Sequence, residues 1–157
     1  MDKVNIYMYH NINSIRAKDG IYGFVLETTN SKGEKVTKEF FGYLSKCNIN
    51  RAELRTFTAA LSKLKRSCEL TIYTDHEYLK TATTWCEKWQ QNNWENKKGF
   101  PVANKEDWQE CYGLMKEHIC NFVTKTDHEY KKWLTHETER RQKTCLINSE
   151  NLTAQKS

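Results

Sequence analysis

The sequence predicts a single α/β domain, with a five-stranded mixed sheet flanked by helices. Two observations support this fold class. The start of the chain holds three apolar stretches separated by turn residues, and this pattern is typical of antiparallel strands. Further along, a strand, an amphipathic helix and a second strand follow one another, and this order indicates a parallel crossover. A length of 157 residues suits one such domain.

The first three strands come before any helix. We predict them at residues 4–9, 24–26 and 36–43. The turn residues Asn30-Ser31-Lys32-Gly33 separate the second strand from the third. Three consecutive strands with short connections are most simply antiparallel.

A helix follows, and apolar residues at helical spacing from Leu54 to Leu64 give it one buried face. Asn50 is the predicted N-cap, because its side-chain oxygen can accept the free amide hydrogens of the first turn. The remaining elements are a buried strand, two helices, a last strand and a charged helix, at residues 70–74, 77–89, 105–117, 119–125 and 131–145. The domain is predicted to cover residues 1–147, and residues 148–157 are predicted to be a flexible tail.

Composition narrows the function classes. The net charge of +5 and the pI near 8.8 are compatible with nucleic-acid binding but do not require it. The six cysteines form no C-x-x-C pair, so we expect reduced thiols and no zinc-finger site. The chain has no apolar run of membrane length and no signal-peptide pattern at its start, so we expect a cytoplasmic protein without a membrane partner.

Three motifs carry the chemistry. Residues 50–54 read N-R-A-E-L at a helix start, and residues 72–78 read I-Y-T-D-H-E-Y at the end of a buried strand. Residues 85–108 hold four tryptophans, the pair Lys97-Lys98 and the segment P-V-A-N-K. Each motif is weak alone, but their order and spacing together are specific.

These motifs and the order β-β-β-α-β-α-α-β-α resemble type 1 ribonuclease H, over about residues 4–141. The resemblance implies the ribonuclease H-like fold, in which residues 85–108 form a basic handle, a helical protrusion that grips the duplex. It also implies metal-dependent endonucleolytic cleavage of the RNA strand of an RNA–DNA hybrid. The implied cofactor is a pair of Mg²⁺ or Mn²⁺ ions held by carboxylates, because such ions prefer hard oxygen ligands.

The resemblance assigns Glu53 and Asp75 as catalytic metal ligands. The first family carboxylate, however, aligns with Tyr9, or with His10 after a shift of one residue, and neither is an acid. His10 could ligate a softer metal such as manganese or zinc, and Asp19 is a more distant carboxylate. The set of catalytic carboxylates is therefore predicted to be incomplete.

Two further catalytic positions follow from the resemblance. His128 aligns with the histidine of a mobile loop, although the glycines expected around it are missing. The fourth acid aligns with Thr138, and a small shift would supply the neighbouring Glu137 or Glu139; we assign Glu137.

The implied nucleic-acid contacts are Asn50, Trp85, Trp89, Lys97, Lys98, Asn104 and Lys105. Simpler roles stand beside these. Tryptophans on amphipathic helices are often core residues, and we expect at least half of the four to be buried. The lysines could form an ordinary solvated face.

Three hypotheses remain open at this point. The first is a hybrid-binding ribonuclease H-like protein whose cleavage is weak or lost because Tyr9 replaces the first aspartate. The second is a non-catalytic module that binds hybrid or double-stranded RNA. The third is an interaction protein whose ancestral groove is unused. In each case we expect a monomer with no small-molecule cofactor.

Overall fold

The computed structural model describes residues 1–124 and 127–156, with side chains up to residue 146. The described residues form a five-stranded sheet in the order β3-β2-β1-β4-β5. The strands are β1 (Asp2–His10), β2 (Lys18–Thr29), β3 (Lys35–Cys47), β4 (Cys68–Tyr73) and β5 (Ile119–Val123). The helices are α1 (Ile49–Leu61), α2 (Tyr78–Ala82), α3 (Cys86–Gln91), α4 (Lys105–Met115) and α5 (Lys131–Lys156).

This topology confirms the predicted fold class. β1 pairs antiparallel with β2 and β2 antiparallel with β3, whereas β4 runs parallel to both β1 and β5. β2 and β3 are longer than predicted because their hydrogen-bonded register extends from Lys18–Cys47 to Thr29–Lys35. The predicted last strand reached residue 125, which lies outside the described residues. No described helix is both long and apolar enough to cross a membrane.

The start of α1 differs from the prediction that Asn50 is its N-cap. The cap is Asn48, whose side-chain Oδ1 accepts the backbone N–H of Arg51 at 2.9 Å. Asn50 lies inside the first turn. The physical reason is that the chain leaves β3 in an extended conformation only up to Asn48, so the helical amides begin two residues earlier than expected.

The predicted helix over residues 77–89 is interrupted. α2 and α3 are separated by a short 3₁₀ turn, Thr83–Trp85. The hydroxyl of Thr83 donates to the carbonyl of Leu79, and that of Thr84 donates to the carbonyl of Thr81. Threonine side chains that bond to the backbone of the preceding turn compete with regular helix geometry, which explains the break.

The two faces of β1 point to different layers, and this alternation positions the candidate site. Ile6 and Met8 are buried in the core that includes Leu54 and Phe57 of α1. Tyr7 belongs to a second cluster that contains Leu134 of α5. His10 therefore faces the α1 layer, whereas Tyr9 faces α5.

The C-terminal helix is continuous through Lys156. The predicted boundary at residue 147 falls within it and stays a prediction, as does the flexible tail. Residue 157 and the side chains of residues 147–157 lie outside the described part of the chain. In the described part, all six cysteine thiols are free, as expected.

Candidate functional site

The candidate catalytic site lies where β1 and β4 end side by side, next to the first turns of α1. Their parallel pairing brings Tyr7 level with Tyr73, so the residues after these positions converge at one edge of the sheet. A small cleft at this edge is lined by Met8, Tyr9, His10, Glu53, Thr74, Asp75 and His76. Glu53 and Asp75, the two predicted metal ligands, therefore line the same cleft.

Glu53 is only 1% exposed, and both its carboxylate oxygens are engaged. Oε2 lies 3.0 Å from Nε2 of His10, and Oε1 accepts the hydroxyl of Thr74. Nδ1 of His10 accepts the backbone N–H of Ile12 at 3.3 Å, so the proton of a neutral His10 ring lies on Nε2 and is donated to Glu53.

His76 closes the other side of this group. Its ring stacks on the ring of His10, with centroids 5.1 Å apart and an interplanar angle of 21°. Burial lowers the pKa of His76, with a smaller opposing effect of Glu53. One ligand atom each of His10, Glu53 and His76 lies within 4.8 Å of the other two.

Asp75 is held separately, by an ion pair with Lys131 at the start of α5. Both side chains are about a quarter exposed, 24% for Asp75 and 25% for Lys131. The ammonium of Lys131 also lies 5.5 Å from the centroid of the Tyr9 ring. Burial lowers the pKa of Lys131. Among the described residues, Lys131 is the basic side chain that pairs with Asp75.

Tyr9, which the resemblance aligns with the first family carboxylate, packs against the cluster that contains Leu134 of α5. Burial raises the pKa of Tyr9, a hydrogen bond with Thr135 opposes this, and the nearby charge of Glu139 raises it further. Tyr9 therefore stays an uncharged phenol at neutral pH, packed toward α5.

A pair of magnesium ions does not fit the residues present. Each Mg²⁺ demands near-octahedral oxygen coordination, usually from carboxylates and waters. Among the described residues, Glu53 and Asp75 are the carboxylates that line the cleft. Glu53 is bonded to His10 and Thr74, and Asp75 is bonded to Lys131, so neither offers a free oxygen pair.

The other two predicted catalytic residues lie outside the lining of this cleft. His128 packs on Tyr7, with ring centroids 4.9 Å apart, and burial lowers its pKa. Glu137 pairs with Arg140 at 2.7 Å. Thr138, the aligned position of the fourth acid, is fully buried, and its hydroxyl has no hydrogen-bond partner among the described residues.

The predicted handle, α2 and the start of α1 together line an apolar groove with a volume of about 630 Å³. It is lined by Asn50, Glu77, Tyr78, Thr81, Ala82, Trp85, Trp89, Asn96, Val102 and Ala103. Trp94 and Trp108 are buried instead, as expected for half of the handle tryptophans. The groove thus joins the start of α1 to the handle.

The polar handle residues lie in the segment between α3 and α4 and at the start of α4. Lys97 and Lys98 are exposed in the turn between α3 and α4. Asn104 has a left-handed backbone conformation, with φ 60°, before the start of α4. Lys105 lines a neighbouring pocket together with Arg51 and Asn104. All seven predicted nucleic-acid contacts therefore lie in or beside the α1–handle region.

Sequence reasoning missed Thr74, His76 and Lys131. His76 stands directly after the aspartate of the 72–78 motif, where the resembled family has serine, and this departure was a usable signal. Lys131 has no motif around it, because its contact with Asp75 joins residues 56 positions apart.

Comparison with known proteins identifies the family. The family model described as RNase H matches residues 5–144. A ribonuclease H of Caldanaerobacter subterraneus subsp. tengcongensis is 36% identical over 100 residues, which is 60% of this chain and 65% of that protein. The chain thus belongs to the RNase H family, and its match spans just under two thirds of this curated relative.

Solved structures share the fold. LC9-RNase H1, a type 1 RNase H with the type 2 active-site motif, has a TM-score of 0.70 at 21% identity, covering 89% of this chain and 72% of that one. A foamy viral protease–reverse transcriptase in complex with RNA/DNA hybrid has a TM-score of 0.61 at 14% identity, covering 85% and 19%. At these identities the likeness shows the fold.

Proposed function

We propose that this protein binds RNA–DNA hybrid and that its metal-dependent cleavage of the RNA strand is weak or lost. The observation that carries the proposed loss of cleavage is the ion pair between Asp75 and Lys131 beside Tyr9. It leaves the ancestral metal centre with an internal cation in contact with one ligand and an uncharged phenol in place of another.

Hybrid binding is supported by the groove between α1 and the handle. Asn50 lies at its α1 side, where a polar side chain can reach the minor groove of an A-form-like duplex and its 2′-hydroxyls. Trp85 and Trp89 offer ring surface on the handle side, and Lys97 and Lys98 offer charges for phosphates. The foamy viral structure of the same fold was solved with RNA/DNA hybrid, so hybrid is the first ligand to test.

Weak or absent cleavage is supported by the contacts that the Glu53 and Asp75 carboxylates make within the protein. Two-ion cleavage needs ligands that hold both ions about 4 Å apart, in line with the attacking and leaving oxygens. Glu53 is oriented by His10 and Thr74, and Asp75 by Lys131. The catalytic roles of Glu53, Asp75, His128 and Glu137 remain proposals, and the geometry favours Glu53 and Asp75 over the other two.

The test combines binding and cleavage on the same labelled duplexes. Fluorescence anisotropy would compare RNA–DNA hybrid with double-stranded RNA, double-stranded DNA and single-stranded RNA at fixed salt. Cleavage would be followed with Mg²⁺ and then with Mn²⁺, and Asp75→Asn would be the matched control. We expect salt-sensitive hybrid binding with little or no cleavage.

Each other outcome has a definite meaning. Rapid cleavage that Asp75→Asn abolishes would contradict the loss of activity. Preference for double-stranded RNA would favour the non-catalytic RNA module, and absence of binding to any duplex would favour an interaction protein. The monomeric state and the boundary at residue 147 are also proposals, which gel filtration and limited proteolysis test directly.

A further inference from the structure

The group formed by His10, Glu53 and His76 has a donor set unlike the carboxylate pair that this family uses. The three side chains come from the end of β1, from α1 and from the segment after β4. Their ligand atoms lie within 4.8 Å of one another, and His10 and Glu53 are buried. We infer that these three residues form a site for a single divalent transition-metal ion, for which Zn²⁺ is the probe.

The donor chemistry selects the kind of ion. Two imidazole nitrogens and one carboxylate oxygen suit borderline ions such as Zn²⁺ and Fe²⁺, whereas Mg²⁺ requires oxygen ligands. Three protein ligands also leave a coordination position for water, as in open zinc sites. Asp75, paired with Lys131, is not part of this set.

The distances are compatible with a shared ion. Nε2 of His10 and Oε2 of Glu53 are 3.0 Å apart. Two ligands at about 2.0–2.1 Å from a tetrahedral zinc ion lie roughly 3.3 Å apart, so this pair needs little movement. His76 is only half-buried, and rotation of its side chain can close the remaining gap.

The Glu53 carboxylate is already oriented by a contact with Thr74, a residue outside the proposed ligand set. The Thr74 hydroxyl donates to Oε1 of Glu53, which leaves Oε2 directed at His10. The backbone N–H of His76 lies 3.3 Å from the same hydroxyl oxygen, so Thr74 connects two of the three ligands. Such outer contacts fix ligand geometry and raise metal affinity.

Metal binding has one structural requirement at His10. The ion replaces the proton that Nε2 now donates to Glu53, so the ring proton moves to Nδ1. The contact from the Ile12 N–H to Nδ1 is then lost, and at 3.3 Å it is a long hydrogen bond. This loss lowers the affinity without blocking the site.

The experiment is isothermal titration of Zn²⁺ and of Mg²⁺ into the full chain without a histidine tag. Co²⁺ absorption would serve as a second readout of the ligand set. We expect one equivalent of Zn²⁺ to bind and Mg²⁺ to give no saturable binding. Thr74→Val should weaken Zn²⁺ binding by about 10- to 100-fold, and His76→Ala should weaken it more. His136→Ala removes an exposed histidine of α5 and should change nothing.

The inference is overturned if no Zn²⁺ binds, or if His76→Ala and Glu53→Gln bind it as the parent does. Thiolate-to-Co²⁺ charge-transfer absorption in the Co²⁺-substituted protein would likewise assign the ion to cysteines and overturn the inference. His76 is half-buried, so its variant keeps the test valid even if His10→Ala fails to fold. Anisotropy titration of labelled RNA–DNA hybrid in the presence of EDTA separates this inference from the proposed function. A protein that binds hybrid but no metal would overturn the inference and leave the proposed function intact.

Discussion

Lys131 at the start of α5 and Asp75 after β4 form an ion pair across the edge of the sheet. The same ammonium lies over the ring of Tyr9. One lysine thus contacts both Asp75 and the tyrosine that the resemblance aligns with the first family carboxylate.

The Lys131–Asp75 pair should contribute modestly to stability. Both side chains are about a quarter exposed, so we expect a coupling of about 0.5–1 kcal/mol, near the upper end for exposed pairs. A double-mutant cycle with Lys131→Ala and Asp75→Asn, followed by urea unfolding, measures it. Lys143→Ala, an exposed position on the same helix, is the control. A coupling indistinguishable from zero would mean that the pair is not formed in solution.

A carboxylate restored at residue 9 should increase hybrid cleavage only if Lys131 is removed as well. In Tyr9→Asp alone the new carboxylate lies within reach of the Lys131 ammonium and pairs with it, so we expect little gain in hybrid cleavage. In the double variant with Lys131→Ala, two carboxylates become available to divalent ions, and cleavage with Mg²⁺ should rise. Adding Asp75→Asn should remove that gain. Equal rates for the single and double variants would show that Lys131 does not limit the centre.

Glu27 should make the fold sensitive to acid. Burial raises the pKa of Glu27, but hydrogen bonds from Tyr130 and Asn5 and the charge of Lys35 outweigh it and lower the pKa. A carboxylate with a lowered folded pKa stabilises fully above its unfolded value of 4.5, and this contribution is lost as the pH falls through the folded value.

The variant that tests this is Tyr130→Phe. The Tyr130 hydroxyl lies 2.5 Å from Oε2 of Glu27, and its removal should lower the free energy of unfolding at pH 7 by about 1.5–3 kcal/mol. The difference from the parent should shrink below pH 4. Tyr43→Phe, at a side chain that is 75% exposed, should have a far smaller effect. A deficit that does not change with pH would assign the loss to packing.

Lys97 and Lys98 should contribute to duplex binding through phosphates. If each contacts one phosphate, Lys97→Ala/Lys98→Ala should weaken hybrid binding and reduce the slope of log K against log salt by roughly 2. Anisotropy titrations at several salt concentrations measure the slope. Lys32→Ala, in the turn between β2 and β3, is the matched control. An unchanged slope would make these lysines an ordinary solvated face.

Local patterns were enough to predict much of this protein. Apolar periodicity predicted the element order because a sheet strand and a helix each bury one face with its own period. The resemblance carried by the N-R-A-E-L and I-Y-T-D motifs assigned Glu53 and Asp75 to one site, and the structure has both in the lining of one cleft. Where local signals compete, the prediction was wrong: Asn48 and Asn50 are equally good caps by residue type, and the geometry of the β3–α1 connection selects Asn48.

The sequence by itself determined the fold class and the absence of an acid at Tyr9. Only the tertiary structure decided what the remaining carboxylates do. Glu53 contacts His10 across 43 residues, and Asp75 contacts Lys131 across 56. Side-chain pairs this distant in the chain depend on how α1 packs on β1 and on where α5 lies beside the end of β4, and neither packing leaves a periodic signal in the sequence.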